Sequence, residues 1–241
     1  MYDWTPSVEP LKKTIFLNFV ALKINKVFIS TLLILTFTLI IVKPGYANSC
    51  ENINEIVINS KLTINDVKLK DKKYVEQILH LAASLDQKIR SSEYVQCKNI
   101  FSLMEQIDKN NTDILKKITK IYAWFPISIF GDKAVSDAWL LVQHSQDLTL
   151  QHKVLFIMEH LMANNEANKE HYALLYDRVA LNYIDLGIKQ KYGTQFIVKR
   201  NKVIMLPYTG SIDDIEKRRK NFGMQPLHEY KETLKLMFTA N

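Results

Sequence analysis

The sequence predicts a mainly α protein, a single helical domain of about six to eight helices with one β-hairpin near residues 194–207, preceded by a signal peptide or membrane anchor. Its 241 residues are 47% hydrophobic and 24% charged, with only six Gly and six Pro, which excludes a disordered or collagen-like chain. Apolar residues recur every three or four positions along most of residues 72–238, as in amphipathic helices. We therefore divide the chain into an N-terminal extension with the signal peptide (1–47), a lead-in to the mature chain (48–71) and the helical domain (72–241).

The net charge of +7 gives no case for a nucleic-acid partner. Residues 1–47 hold five Lys and two acidic residues, so residues 48–241 carry 27 basic and 23 acidic side chains, a net charge of +4. No stripe of Lys and Arg interleaved with aromatic residues occurs in the sequence. The basic balance therefore belongs mostly to the N-terminal targeting region, and we expect no nucleic acid as a partner.

An uncharged apolar run over residues 27–42 follows two lysines and resembles the hydrophobic core of a signal peptide. Its 16 residues fall short of the roughly 20 that span a bilayer as a helix. Gly45 and Ala47 supply the small residues that signal peptidase requires, so we expect cleavage after Ala47 and a periplasmic or secreted protein. The alternative is a single-pass protein anchored through residues 27–42, which meets the membrane only through this segment.

The 21 residues before Leu22 make the N-terminal part unusually long for the basic start of a signal peptide. Initiation at Leu22 from a non-Met codon gives the short basic segment LKINK directly before the apolar run. We therefore hypothesise that translation begins at Leu22 rather than at Met1.

The chain has two cysteines, Cys50 and Cys97. In an oxidising compartment they can form one disulfide, but Cys50 lies only three residues into the mature chain, so two unpaired cysteines are an equal alternative. Attachment of a lipid to Cys50 is less favoured, because Ala47-Asn48-Ser49 lacks the aliphatic residue of a lipoprotein cleavage box. Two cysteines without matching histidines make no zinc site.

The helical domain is predicted to begin with six helices. They are expected over residues 72–90, 100–107, 112–124, 135–144, 150–162 and 172–183. Asp108 to Asn111 are interpreted as the turn between the second and third helix. Gly187 is placed to end the sixth.

A hairpin and two short helices are predicted to follow. The change from helical to alternating spacing after Tyr192 indicates two antiparallel strands around Asn201-Lys202. The predicted elements are strands 195–200 and 203–206, a helix from the N-cap Ser211 to Gly223, and a helix from Pro226 to about Phe238.

A series of polar motifs runs in order through the helical domain. They are Asp86-Gln87-x-x-Arg90, Asp108-x-x-Asn111, Trp124-x-Pro126, Ala138-Trp139 through Gln143-His144, Asp177-Arg178-Val179, Tyr192-Gly193-Thr194-Gln195, Arg218-Arg219 and Pro226-Leu227-x-x-Tyr230. Together they resemble the bacterial domain-of-unknown-function family 6624 over roughly residues 75–231, with departures at Phe125 and at Gln146-Asp147. The family has no established activity, so the resemblance implies an architecture and a set of positions, and no chemistry.

His144 is the first candidate for chemistry. As the end of a helix it can simply satisfy the last carbonyls and the helix dipole. Alternatively it acts as a general acid or base, with Asp147 or Asp177 orienting it, because an unperturbed His pKa of about 6.5 suits proton transfer near neutrality. His144, His152 and His160 recur every eight residues, but successive side chains then point about 80° apart on a helix, so we predict no metal site.

Asp177 and Arg178 are adjacent in a predicted helix and point about 100° apart, so each needs its own partner. They can form buried ion pairs, Arg178 with Asp86 or Asp177 with Arg90. Arg178 can instead bind a carboxylate or phosphate, since its guanidinium offers two parallel donors.

The motif from Tyr192 to Gln195 enters the hairpin. Gly193 suits a backbone with positive φ or a close approach, and its polar neighbours form either a structural network or the wall of a ligand site. Arg218 and Arg219 either complement a helix C-terminus or bind an anion. The predicted ligand-binding residues are Asp86, Gln87, Arg90, Arg178, Tyr192, Thr194, Gln195, Arg219 and Tyr230.

Three classes of function stay open: a domain that binds a small molecule or an envelope protein, a hydrolase-like enzyme using His144 as acid or base, and a structural envelope protein. No nucleophile motif, phosphate loop, dinucleotide fingerprint or calcium loop occurs, which counts against the enzyme and predicts no cofactor. Polar residues on otherwise apolar helices count against a purely structural domain. Binding, with Arg178 and Gln195 as ligand contacts, is therefore the leading prediction.

Overall fold

The computed structural model describes residues 50, 53–91, 93–94, 97–199 and 202–239. These residues form eight α-helices and one two-stranded antiparallel hairpin, which confirms the predicted mainly α fold. The elements are α1 (Ile53–Ser60), α2 (Lys72–Ile89), α3 (Ile100–Tyr122), α4 (Ile127–His144), α5 (Leu148–Met162), α6 (Lys169–Ala180), β1 (Phe196–Lys199), β2 (Lys202–Met205), α7 (Ile212–Asn221) and α8 (Leu227–Thr239). Two 3-10 segments, Asp66–Lys70 and Leu181–Leu186, precede α2 and follow α6.

The predicted signal peptide or anchor, residues 27–42, lies outside the described residues and stays a prediction. In the described part of the chain, no helix combines the length and the apolar character needed to cross a membrane. The lead-in predicted over residues 48–71 contains α1 and the first 3-10 segment.

Helices α2 to α6 enclose the main apolar core. α2 contributes Val75, Leu79 and Ala82, the face that its spacing predicts, and packs against α4. Trp124 and Phe125, between α3 and α4, are fully enclosed. Burying a large apolar side chain stabilises a fold by about 1.5–3 kcal/mol. This core therefore fixes the relative positions of the helices that carry the polar motifs.

The turn predicted from Asp108 to Asn111 is wrong, because both residues lie inside the continuous helix α3. Their side chains face the interior, and the Thr112 hydroxyl donates to the Asp108 carbonyl at 2.7 Å, a bond made within a helix. The polar run therefore marks a buried polar face rather than a break.

Two further helix boundaries differ from the prediction. α4 begins at Ile127 rather than at residue 135, and Gly131, with φ +72°, kinks it. α6 ends at Ala180 and gives way to a 3-10 segment, which Gly187 ends with φ +78°. The stop at Gly187 was predicted, whereas the change of helix type was not.

The hairpin and the closing helices follow the predicted order. Phe196 pairs with Met205 and Lys199 with Lys202, so Lys202 belongs to β2 rather than to the turn that was predicted around it. Ser211 caps α7 in a reciprocal pair of hydrogen bonds with Asp214. α8 packs on β2, which brings the C-terminal motif to the hairpin.

Cys50 and Cys97 form a disulfide, with their Cα atoms 5.6 Å apart. The open alternative of two unpaired cysteines is therefore resolved. A lipid on Cys50 is also excluded in this state, because its sulfur is already bonded. The bond ties the start of the described chain to the segment before α3.

Candidate functional site

Asp86, at the C-terminal end of α2, is completely buried and lies at the centre of a group of charged side chains. Its carboxylate accepts from His144 Nδ1 at 2.8 Å, from Arg90 Nη1 at 2.7 Å and from Gln87 Nε2 at 2.8 Å. Burial alone raises the pKa of Asp86, but the adjacent His144 and Arg90 outweigh that effect and hold the pKa below its ordinary value. The carboxylate is therefore ionised at neutral pH.

Arg90 joins Asp86 to a second carboxylate, that of Asp108 on α3. Arg90 Nη2 donates to Asp108 Oδ1 at 2.5 Å. Burial raises the pKa of Asp108 to about 7, although Arg90 opposes this rise. Asp108 is therefore only partly ionised near neutral pH.

His144 ends α4, and its imidazole faces Asp86 rather than the last carbonyls of its own helix. Gln151 satisfies two of those carbonyls instead, since its Nε2 donates to the oxygens of Val142 and Ser145. Because Asp86 accepts at Nδ1, the proton of a neutral imidazole lies there and Nε2 is an acceptor. Nε2 makes no hydrogen bond with any residue that the structure describes.

The pKa of His144 lies below its ordinary value of 6.5. Burial is the main cause, the Asp86 carboxylate opposes it, and the positive charge of Arg90 adds to it. The neutral imidazole therefore predominates at pH 7, and its free lone pair is at Nε2.

Arg178, on α6, lies beside this group. Its Nη1 donates to the Gln143 carbonyl at 2.8 Å, and burial lowers its pKa to about 10. The predicted pairs of Arg178 with Asp86 and of Asp177 with Arg90 are wrong, because Asp86 takes Arg90 as its partner. We call Asp86, Arg90, Asp108, His144 and Arg178 the central cluster.

Buried amide atoms next to the central cluster lack hydrogen-bond partners among the described residues. They are Nδ2 and Oδ1 of Asn111 and Oε1 of Gln143. Asn111 precedes Thr112 on the inner face of α3, where the Thr112 oxygen, whose own proton goes to the Asp108 carbonyl, accepts from the Ser145 hydroxyl at 2.8 Å. An unpaired buried polar group costs about 1–3 kcal/mol, so these amides are suited to satisfying a ligand.

Three side chains of the central cluster lie close enough to one another to hold a metal ion. Asp86, Asp108 and His144 each offer a ligand atom, and these atoms lie within 4.8 Å of one another. Arg90, however, places one guanidinium nitrogen on each carboxylate and so supplies the positive charge that a metal would bring. The donor set therefore fits a metal ion only if Arg90 moves away.

Asp177 lies in a second group, which holds the loop before the hairpin. Its carboxylate accepts from the backbone nitrogens of Lys191 at 2.7 Å, Tyr192 at 3.1 Å and Thr194 at 3.0 Å, and from the Thr194 hydroxyl at 3.0 Å. Burial raises the pKa of Asp177, and the backbone donors oppose this rise. All of these donors bind the carboxylate in place, so Asp177 does not orient His144 as one hypothesis required.

Arg219 completes this second group. It is 1% exposed, and its guanidinium donates to the carbonyls of Tyr192 at 2.9 Å and Gln225 at 2.8 Å. The guanidinium carbon lies over the Tyr230 ring, 5.0 Å from the ring centroid. Arg219, in the last turn of α7, therefore also holds the loop before the hairpin.

The remaining polar groups of the loop also bind one another or the backbone. Gln195 Nε2 donates to the Thr194 hydroxyl at 3.0 Å, and Tyr230 donates to the Thr194 carbonyl at 3.3 Å. Arg218 lies in the last turn of α7, as predicted, and it also donates to the carbonyls of Lys191 and Thr209. We call Asp177, Arg219 and the loop 190–195 that they hold the anchoring cluster.

Asp147 belongs to neither cluster. Its carboxylate accepts from Leu150 N at 2.9 Å as the N-cap of α5 and forms an ion pair with Lys116. The hypothesis that Asp147 orients His144 is therefore wrong, and Asp86 fills that position. His152, the second of the three histidines spaced by eight residues, binds the Tyr183 hydroxyl at 2.8 Å.

The fold and the two clusters define a class of protein: a helical domain with a hairpin and a buried cluster of Asp, His and Arg. The chain belongs to the family of unknown function DUF6624, whose model matches residues 76–240. This match spans both clusters. No curated protein and no solved structure matches the chain.

Proposed function

We propose that this chain is an exported domain that binds a small oxyanion, and that the ligand meets the Nε2 edge of His144 in the central cluster. One observation carries this proposal. The imidazole is fixed through Nδ1 by a completely buried carboxylate, while Nε2 has no hydrogen-bond partner in the described residues. A histidine held in this way presents a fixed acceptor to a ligand.

The charges of the central cluster favour an anion. Arg90 and Arg178 are positive, Asp86 is negative, and Asp108, with a pKa of about 7, is only partly ionised. The group therefore has a small positive excess near neutral pH. The unpaired amide of Asn111 adds a donor and an acceptor beside it. A ligand that carries both an anionic oxygen and a proton donor fits these groups.

Export is part of the same proposal. The apolar run at residues 27–42, followed by Gly45 and Ala47, supports a signal peptide cleaved after Ala47. The Cys50–Cys97 disulfide supports an oxidising compartment, such as the periplasm or the exterior. Cell fractionation with N-terminal sequencing tests this part. A full-length chain in the cytoplasm contradicts it, and a full-length chain in the membrane fraction supports the anchored alternative.

Binding is tested by thermal unfolding of the full-length chain in phosphate and in sulfate at equal ionic strength. Phosphate carries a proton that it can donate to Nε2, whereas sulfate has the same shape without that proton. Phosphate is expected to raise the unfolding midpoint more than sulfate, because only phosphate can donate to Nε2. A ligand at 100 times its Kd stabilises the folded state by about 2.7 kcal/mol. Equal effects of the two anions contradict the proposal.

The matched variants are His144→Asn and His228→Asn. Asn at position 144 can still donate to Asp86 through its amide but has no atom in place of Nε2, so the response to phosphate is expected to disappear. His228 has a side chain that is 76% exposed, and its replacement is expected to leave the response unchanged. If phosphate raises the midpoint of His144→Asn as much as that of the wild type, the anion binds elsewhere and the proposed site is wrong.

A hydrolase-like enzyme is the second candidate, and the Asp86–His144 pair favours it specifically. A neutral imidazole oriented by a buried carboxylate can take a proton from water at Nε2 and act as a general base. Such catalysis requires Asp86 for the tautomer, so Asp86→Asn is expected to abolish hydrolysis of 4-nitrophenyl esters or phosphates above the buffer rate. Absence of hydrolysis of these substrates by the wild type contradicts this second candidate.

A further inference from the structure

A cleft of about 470 Å³ opens between α5 and α6, and it shares no lining residue with the central cluster. Its volume lies within the range of about 300–1,000 Å³ found for small-molecule sites. α5 contributes His152, Phe156 and Glu159 to the cleft, at positions that share one helix face. Across from them, Tyr172 and Tyr176 lie one turn apart on α6.

One phenylalanine and three tyrosines, Phe156, Tyr172, Tyr176 and Tyr183, line this cleft. Tyr183 joins the rings of α6 from the following 3-10 segment, and its hydroxyl is held by His152 Nε2 at 2.8 Å. The rings of Tyr172 and Tyr176 are 6.1 Å apart and tilted by 34°. Burial raises the pKa of Tyr172 to about 12, so its hydroxyl stays neutral. The cleft is thus lined by uncharged aromatic side chains.

Glu159 is the one carboxylate among the described residues that line the cleft, and none of these residues is Lys or Arg. Burial lowers the pKa of His152, so this side chain is neutral at pH 7. Glu159 is close enough to Tyr172 to contribute to the raised pKa of that phenol. The charge of the lining is therefore negative, on one side of an aromatic surface.

We propose that this cleft binds a small organic cation, such as a quaternary ammonium group, between the tyrosine rings and Glu159. The negative face of an aromatic ring attracts a cation, and a carboxylate at the rim adds a long-range attraction. Lys191 Nζ lies 4.5 Å from the centroid of Tyr176, so this ring already contacts a cation, and the ligand must either displace Lys191 or bind against Tyr172 and Tyr183. The site is separate from the proposed oxyanion site, so either proposal can fail alone.

The test is a titration of the full-length chain with choline, followed by changes in NMR chemical shift. Its control ligand is the uncharged analogue of choline in which a quaternary carbon replaces the nitrogen. Choline is expected to bind at least about tenfold more tightly than the analogue, a difference of about 1.4 kcal/mol. Equal binding of the two compounds, or no saturable binding of choline below about 10 mM, overturns the proposal.

Two pairs of variants locate the binding. Glu159→Gln is expected to weaken choline binding by about three- to tenfold, whereas Glu105→Gln, on the exposed side of α3, leaves it unchanged. Tyr183→Leu is expected to weaken it by about tenfold, whereas Tyr183→Phe keeps the ring and retains the affinity. Because Tyr183→Phe loses the bond to His152, it also controls for loss of local structure. Choline binding that is unaffected by both Glu159→Gln and Tyr183→Leu refutes the assignment to this cleft.

Discussion

Asp86 and Asp177 are both completely buried, but they are satisfied in opposite ways. Side chains from Gln87, Arg90 and His144 donate to Asp86. Backbone N–H groups of the loop 190–195 provide most of the donors to Asp177. Asp86 has a lowered pKa because charged and titratable neighbours favour its ionised form, whereas burial raises the pKa of Asp177.

This difference separates a structural carboxylate from a candidate functional one. Backbone donors cannot be withdrawn without moving the chain, so Asp177 fixes the loop. Side-chain donors can rotate or exchange a partner, and His144 keeps a second nitrogen with no bond in the described residues. The predicted site residues therefore divide into a group around Asp86, where we propose that a ligand binds, and a group that holds the hairpin in place.

The largest expected effect is that of Asp177→Ala on stability. It leaves three backbone donors and one hydroxyl without their acceptor, each costing roughly 1–3 kcal/mol, so we expect a loss of about 4 kcal/mol or more. Urea denaturation measures this loss. Asp185→Ala, on the exposed surface of the neighbouring 3-10 segment, is the control and is expected to leave the midpoint unchanged. A loss below about 1 kcal/mol for Asp177→Ala removes the distinction between the clusters.

Gly193 gives the next largest effect and tests how tightly the anchoring cluster is packed. Its φ is +65°, and an added Cβ would lie 3.0 Å from Leu227 Cδ1 and 3.2 Å from Ile215 Cγ2. Gly193→Ala is therefore expected to lose about 2–4 kcal/mol from strain and overpacking together. Gly223, with φ +68° and open space around it, is the matched control. Gly223→Ala is expected to lose about 1–2 kcal/mol, from strain alone, and equal losses for the two variants contradict close packing at Gly193.

Most of the fold could be predicted, because it depends on local spacing. The apolar faces of α2 and α6, the stop at Gly187 and the capping of α7 by Ser211 are all local signals, and the structure confirms them. The predicted turn at Asp108–Asn111 was wrong because the environment of these residues depends on a contact with a distant part of the chain. A polar run predicts a turn only when its residues face solvent, and here Asp108 faces a buried arginine from another helix.

The site could be predicted only as a list of positions. The family resemblance pointed to Asp86, Arg90, His144 and Arg178, and the structure brings these four together. The resemblance could not assign hydrogen-bond partners, because Asp86 and His144 are 58 positions apart in the chain. Asp108 was missed as a site residue. Its signal was a carboxylate about one turn after Met104 and two turns before Leu115, both apolar, on what is a buried helix face.

The pH dependence of stability tests the central cluster separately from the anchoring cluster. Asp108, in the central cluster, has a pKa raised from 3.8 to about 7. Between these values the folded state binds more protons than the unfolded state, so the contribution of Asp108 is present at low pH and is lost as pH rises through about 7. Asp108→Asn cannot titrate. The stability of the wild type relative to Asp108→Asn is therefore expected to fall by about 1 kcal/mol or more between pH 5 and pH 8. Urea denaturation at both pH values measures it, and a constant difference contradicts the raised pKa.

The smallest effect on stability at neutral pH is expected for His144→Asn, because Asn keeps a donor for Asp86. We expect a loss of at most about 1 kcal/mol at pH 7.5. The pKa of His144 is lowered in the folded state, so below 6.5 the unfolded state takes up a proton that the folded state refuses. The wild type therefore loses stability relative to His144→Asn as pH falls below 6.5, opposite in sign to the effect of Asp108. A loss of about 2 kcal/mol or more at pH 7.5 instead identifies His144 as a member of a purely structural network, the alternative in which the central cluster resembles the anchoring one.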